Sequence, residues 1–334
     1  MATRYQINVA DPRNHCMLAT QVIRRGSEIL SEVPLINLDI GLQELVDNDD
    51  YFGKAASAIA REVNALEPER HQLWTTLRNS SPKQGIMGIV ETNAFSEDEH
   101  RQVQIYQRTI IYNDISKINH SCHPNAELHW NVQTNTGTIC AVSPIGFGEE
   151  ITINYLGDRS SLATRRSRQK EVQKRWRFHC ACSICTLQGP QQIRDDDLRK
   201  QARNLYDKIA THASSNVRIN QQRTLAVQEL NAYIRILDQL HIRDGRLAFA
   251  YDVLQKTHAE LFEYAQHALA AGLRHEGCNC DGFVGGAIWH LRSALSASVR
   301  CLELDTCVHA AGHPQIQMDL NRIHEMQVLI IRAG

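Results

Sequence analysis

The period of the apolar positions changes along this chain, and each change marks a different kind of element. Near the start, Tyr5 to Val9 and Ile29 to Leu38 are strand-like runs, and Arg24-Arg25-Gly26-Ser27 between them carries a turn signal. From Leu42 to about Leu77 the composition shifts to Ala, Glu, Leu and Arg, as in Ala55-Ala56-Ser57-Ala58-Ile59-Ala60-Arg61-Glu62-Val63, which predicts two helices inserted into a strand-rich domain. Strands then resume. Ala126, Leu128, Trp130 and Val132 alternate with Glu127, His129 and Asn131, a period of two that puts the apolar set on one face. Thr138 to Ser143 is the next strand, and the polar stretch from Gln133 to Gly137 has the composition of a hairpin loop.

Beyond Gly189-Pro190 the strand signals stop. Amphipathic helices are predicted near 194–212, 217–240, 244–271, 284–302 and 314–332, making a second, all-helical domain. In the third helix Leu247, Ala250, Tyr251, Leu254, Leu261, Phe262, Ala265 and Leu269 recur at intervals of three and four, the spacing of a core stripe. The piece from His258 to Leu269 resembles half of a tetratricopeptide unit, although no second copy stands at the expected period of about 34 residues.

A chain of 334 residues, 43% hydrophobic and 22% charged, can bury a sizeable core and predicts about two domains. No apolar run approaches the roughly 18 residues of a membrane-spanning helix, so no membrane partner is expected. The segment Met-Ala-Thr-Arg-Tyr-Gln lacks a secretory apolar stretch, so the ten cysteines read as reduced thiols or metal ligands of a cytosolic or nuclear protein. With 36 basic and 37 acidic residues, overall charge gives no case for nucleic acid as the main partner. Local charge differs: Arg159 to Arg177 holds eight Lys or Arg and one acid, Glu171, in a stretch of helical composition. This is either a solvated helix face or a contact for an acidic partner.

Metal chemistry is carried by Cys180-Ala-Cys182-Ser-Ile-Cys185 and by Cys122 in Asn119-His-Ser-Cys-His-Pro-Asn125. The C-x-C-x-x-C run supplies three thiolates, whereas a closed structural zinc site takes four, with bonds of about 2.3 Å. Either a fourth ligand comes from elsewhere or the site keeps an open position; Cys122 is taken as the fourth. His275-Glu-Gly-Cys278-Asn-Cys280 offers no fourth ligand for a second metal and reads as a polar loop.

In order and spacing, Asn119-His-Ser-Cys-His-Pro-Asn125, then Gly148-Glu-Glu-Ile-Thr-Ile-Asn-Tyr155, then Phe178-His-Cys-Ala-Cys-Ser-Ile-Cys185 resemble a SET domain with its post-SET zinc site. Together with the helical second half they resemble the SET-and-MYND lysine methyltransferases and their fungal relatives, without extending to a MYND finger. The fold implied is α+β. A SET core of small sheets spans 1–40 and 88–158, with a helical insertion at 41–87. A post-SET zinc segment at 159–188 and an all-α, tetratricopeptide-like domain at 190–334 follow.

The resemblance implies S-adenosylmethionine and Zn2+ as cofactors. Asn119 and His120 would bind S-adenosylmethionine, Asn93 would add a polar contact, and Phe178 would pack on the adenine. Cys122, Cys180, Cys182 and Cys185 would hold the zinc. Tyr155 would be the catalytic tyrosine and Tyr112 a wall of the substrate channel. The implied substrate is a lysine side chain of a protein. Such a lysine must be neutral to attack, and at an unperturbed pKa of about 10.4 only roughly one in two thousand is neutral at pH 7. A desolvating channel is therefore expected.

The chain departs from the family at one place. Where the family carries a Gly-x-Gly turn near the methionine part of the cofactor, this sequence has Asn14-His15-Cys16, followed by Met17-Leu18-Ala19. Asn14 tolerates positive φ, but a left-handed Cys16 would cost about 1 to 2 kcal/mol, about a tenfold loss of affinity if all of it appeared on binding. The expectation is weakened cofactor binding at Asn14, His15, Cys16 and Met17. A pocket reshaped for a small molecule, or a non-catalytic scaffold, is the alternative.

Overall fold

The computed structural model describes residues 3–8, 15–39, 51–95, 108–131, 134–214, 220–270, 283–308 and 314–333. Two compact units divide the chain, Met1–Gly189 and Pro190–Gly334. Asn14, the start of the helical insertion and the His275–Cys280 loop lie outside the described residues.

In the first unit β1 (Tyr5–Asn8), β2 (Cys16–Ala19), β6 (Asn119–His120) and β9 (Glu150–Ile153) form a sheet of order β1-β2-β9-β6, in which β6 runs parallel to β9. A second sheet joins β3 (Glu28–Glu32), β8 (Thr136–Ala141) and β7 (Ala126–Asn131) in the order β3-β8-β7, and β4 (Ile36–Asp39) pairs with β5 (Arg108–Ile111). Inward positions of the first two sheets, with the bridged pair Ile23 and Ile145 beside them, make one core in which Met17, Ile23, Ile139, Ile145, Ile151 and Ile153 are nearly fully buried. A side chain of that size contributes about 1.5 to 3 kcal/mol when fully buried.

Two helices, α1 (Tyr51–Asn64) and α2 (Pro68–Thr75), follow the strand pair's first member and bury Ile59, Val63 and Trp74 against Leu35, Ile36 and Ile111. A third, α3 (Ile86–Asn93), was not expected from the sequence, and it carries helical structure past residue 87 into the proposed core segment. The expected single strand Ile29 to Leu38 is likewise two strands in two sheets. Pro34 stands between them without a backbone N–H to donate to a ladder, and the break lets β3 pair with β8 while β4 pairs with β5.

After β9 come α4 (Asp158–Ser161) and α5 (Arg165–Trp176). Thr164 caps α5, its side chain accepting from Ser167 N, and Arg177 ends it in the left-handed conformation at φ 63°. That reversal turns the chain out of the helix and into Phe178 and the cysteine run.

The second unit is all helical among the described residues: α6 (Gly189–Ser214), α7 (Asn220–Gln239), α8 (Gly245–Ala270), α9 (Phe283–Val308) and α10 (Pro314–Ala333). The predicted stripe on α8 is core, with Leu247, Ala250, Leu254, Leu261, Phe262 and Ala265 buried. The segment read as half a tetratricopeptide lies inside this one 26-residue helix.

Cys301, Asp305 and Asp319 gather in the interior of the same unit. Burial, reinforced by a hydrogen bond and charge repulsion from Asp319, pushes the Asp305 carboxyl up from 3.8 to about 8. Cys301 and Asp252 face the same cluster, and Arg322 Nη1 bonds Asp252 at 2.9 Å. A carboxyl raised on folding stabilises the fold fully below its unfolded pKa, and this contribution is lost as pH rises through the folded value. The opening free energy of the α9 amides, obtained from hydrogen exchange after correction for the intrinsic rise of exchange with pH, is therefore expected to fall between about pH 4 and pH 8, with the slope flattened in Asp305→Asn. An unchanged slope in that variant would assign the dependence elsewhere.

Candidate active site and thiolate cluster

Loop 119–125 is fastened lengthwise to β9. Asn119 and His120 pair with Thr152 and Ile153, and Ser121 N donates to Ile153 O at 2.9 Å. The Asn125 side chain takes Thr152 N at 2.8 Å and donates to Glu150 O at 2.9 Å. Because β9 ends at Ile153, these bonds bring Tyr155 back beside His120, and Tyr155 N donates to His120 Nδ1 at 3.0 Å.

His120 links two chemistries. It is buried, and burial lowers its pKa to about 4, so the ring is neutral at physiological pH. With Nδ1 accepting, the hydrogen-bond pattern assigns the proton to Nε2, which lies 3.3 Å from Cys122 Sγ. An imidazole N–H aimed at a ligating sulfur is the outer-shell support metal thiolates commonly receive.

The sulfurs of Cys122, Cys180, Cys182 and Cys185 all lie within 4.8 Å of one another, and Cys122 Sγ stands 3.6 Å from Cys185 Sγ. Bonds of 2.3 Å to a common centre give a tetrahedron with edges of about 3.8 Å, and all four cysteines are free thiols. Hydrogen bonds from the three neighbouring thiols lower the pKa of Cys182 and favour a thiolate there. Four converging sulfurs fit a zinc ion held for structure, with no protein position left for a reacting water. The segment is also tied from α5. Gln169 accepts from Cys180 N at 3.0 Å and donates to Cys180 O at 2.6 Å, and Arg165 Nη1 donates to Leu187 O at 2.8 Å.

Tyr155 is half-buried between His120, with ring centroids 5.3 Å apart, and Trp176, at 5.1 Å. Its hydroxyl donates to Ile118 O at 2.5 Å. Burial raises its pKa, so it is a neutral phenol. With its proton committed to Ile118, the oxygen can accept a hydrogen bond from an amine or a polarised methyl group, but it is no general base. Ile118 is itself fixed: Glu32 from β3 accepts from the N–H groups of Asn113, Asp114 and Ile115, one turn before it.

The remaining candidates divide. Asn119 Nδ2 donates to His15 O at 3.0 Å and Glu150 Oε1 at 2.7 Å, so it ties the first segment to loop 119–125. Phe178 packs against the cysteines, 6.3 Å from the His120 ring. Asn93 spends its amide protons inside the protein, on Arg78 O and Ile89 O, both at 2.7 Å. Met17 is fully buried in the core.

Two expectations are corrected. Cys16 is an ordinary residue of β2, paired with Asn8, and among the described residues only Asn135, Arg177 and His241 are non-glycine positions with positive φ. The left-handed strain expected of Cys16 does not exist. Its thiol is pushed up by burial and then by Glu150. Tyr112 is no channel wall: it is 1% exposed in the sheet core, its ring 5.8 Å from that of Phe95, and its hydroxyl would stand only 2.4 Å from a Cβ on Gly137. The residues sequence reasoning missed are Trp176, Gln169, Glu32 and the Ile118 carbonyl. Trp176 alone left a signal, as an aromatic beside the cysteine run.

These features define a class of protein. Residues 14–156 match the model of the SET domain. It is similar to the histone-lysine N-methyltransferase set5 of Schizosaccharomyces pombe, 26% identical over 192 residues that make up 58% of this chain and 53% of the relative. The human protein-lysine N-methyltransferase SMYD4 is 27% identical over 67% of this chain and 28% of its own. Human histone-lysine N-methyltransferase SMYD3 is 37% identical over 30% of this chain and 23% of its own. The chain thus spans about half or less of the length of these curated relatives.

Proposed function

We propose that the chain is an S-adenosylmethionine-dependent protein-lysine N-methyltransferase of the SET class. The observation that carries this reading is the junction at His120, whose two ring nitrogens meet the backbone of Tyr155 and the sulfur of Cys122. It joins a neutral, oriented phenol, inside the matched region, to a metal-ready cluster that reaches from Cys122 within that region to Cys180, Cys182 and Cys185 beyond it. Bound S-adenosylmethionine would supply an electrophilic sulfonium methyl for in-line attack by the lysine amine, with S-adenosylhomocysteine and a proton released to solvent as the other products.

The protein's task is alignment and desolvation. Tyr155 orients the amine, Trp176 and His120 wall it from water, and Asn119 with the backbone of His15 and Cys16 supports the cofactor. Asn14 and Phe178 complete that side in this reading. The extended Cys16 removes the ground for supposing that the cofactor turn is too strained to work. Zinc at Cys122, Cys180, Cys182 and Cys185 fastens the post-SET segment over the cleft, and thiolates of this kind suit the reducing cytosol or nucleus. The helical unit takes the place of the tetratricopeptide-like half of the SET-and-MYND proteins.

The test is transfer of labelled methyl from S-adenosylmethionine to lysines of an extract by zinc-loaded protein. Label in protein lysine is expected, and its absence from every protein would refute the reading. His120→Ala should speed zinc loss to a chelator by about 10–100-fold while leaving all four cysteines in place. An unaltered rate of loss would deny the outer-shell bond.

A further inference from the structure

Helix α5 turns one stripe inward, and the cysteine cluster is tied to that stripe. Arg165, Arg168, Gln169, Val172 and Trp176 recur at steps of three and four, so they share one face of the helix. Two of them hold the cluster segment directly, Arg165 through the carbonyls of Cys185 and Leu187, and Gln169 through both the N–H and the carbonyl of Cys180. Arg168 stands between these two in the stripe and is 1% exposed, while Val172, one turn on, is fully buried. Its Nη1 donates to Ala163 O at 2.5 Å, which fixes the side chain without neutralising its charge. That charge reaches the cluster. Hydrogen bonds to the other three thiols and then burial push the Cys122 thiol up, and Arg168 pulls it the other way. At His120, whose Nε2 faces Cys122 Sγ, burial is the main cause of the low pKa and Arg168 adds to it.

We propose that Arg168 is the counter-charge of the zinc–thiolate cluster, a positioning residue that retains the metal from α5 without ligating it. The role rests on zinc at the four sulfurs, as proposed above, and not on methyl transfer. A buried guanidinium is costly unless negative charge faces it. Four thiolates around one Zn2+ carry a net charge of about −2, which is equally costly to bury alone. Each offsets the other in the interior, where charges are screened little. His120 serves the cluster differently, through one hydrogen bond to one sulfur, whereas Arg168 acts through its field. Packing is the competing account, since the stem of a buried arginine fills volume whatever its charge does. The two accounts part when charge and volume are changed separately.

Arg168→Met keeps most of the volume and removes the charge, and Arg168→Lys keeps the charge. Zinc transfer from the full chain to a chromogenic chelator is expected to be about tenfold faster in Arg168→Met, the scale of losing an outer-shell partner. In Arg168→Lys it should stay within about threefold of the parent protein. Melting gives a second readout. Arg168→Met should lower the melting temperature of zinc-loaded protein and leave that of metal-free protein unchanged, because no zinc–thiolate charge then faces position 168. Equal losses in the two forms, or equally fast transfer in the Met and Lys variants, would overturn the proposal in favour of packing. Should Arg168→Met fail to fold, Arg168→Lys decides alone, and transfer about tenfold faster than in the parent would overturn the proposal. Parent protein that holds no zinc would strike the metal site and this role with it. Parent protein with one zinc per chain, and the same transfer rate in Arg168→Met, would strike only the role of Arg168.

Discussion

Cys122→Ala and Cys182→Ala are each expected to reduce bound zinc from about one per chain to near none, and to do so equally although the residues are 60 positions apart. The sulfurs belong to one cluster, so three remaining thiolates leave an open, hydrated site of far lower affinity. Structural zinc in small sites contributes about 10–16 kcal/mol of apparent binding free energy. In its absence the segment from Phe178 to Cys185 is held mainly by the bonds of Gln169 and Arg165 to its backbone. Each such bond contributes about 0.5–1.5 kcal/mol, which is too little to order the segment. Proteolysis should accordingly cut both variants between α5 and α6 first. Native mass spectrometry reads the metal, and a Cys122→Ala protein that retained its full zinc would detach that residue from the cluster.

The second large effect is on chemistry. Tyr155→Phe removes a hydroxyl whose proton goes to Ile118 O and keeps the ring between His120 and Trp176. Stability should fall by only about 1 kcal/mol, the usual net value of one hydrogen bond. Turnover should fall by about a hundredfold, since an amine that is no longer oriented loses the advantage of alignment. Cofactor affinity should stay within about twofold, because the phenol is assigned to the amine and not to the cofactor. Burial keeps Tyr155 protonated, so the variant should leave the shape of the pH–rate profile unchanged. A lost limb of that profile would show the phenol acting as a base.

Much of the site was legible because its residues sit in short, spaced clusters. Ligand count asked for a fourth sulfur beside the C-x-C-x-x-C run, the resemblance to SET domains pointed to Cys122, and the sulfurs meet. Alternation from Ala126 to Asn131 gave β7, and the apolar stripe gave α8. The departures share a cause, which is that partners distant in sequence decide conformation. Cys16 looked strained when judged by the turn it replaces, but pairing with Asn8 of β1 extends it. Ile29 to Leu38 has an unbroken strand composition apart from Pro34, and only the two separate sheets show how much that residue divides. Tyr112 carries no mark that separates a core tyrosine from a channel tyrosine; the close approach of Gly137 does. Helix α3 is eight residues long with Gly88 inside, too short for its period to stand out.

The enzyme reading meets its most direct test in calorimetry of S-adenosylhomocysteine binding to zinc-loaded protein. One site per chain, with measurable heat at micromolar to submillimolar concentration and loss of that heat in Cys182→Ala, is the predicted result. Zinc-loaded, folded protein that gives no heat at millimolar concentration would contradict the claim that this chain transfers methyl groups.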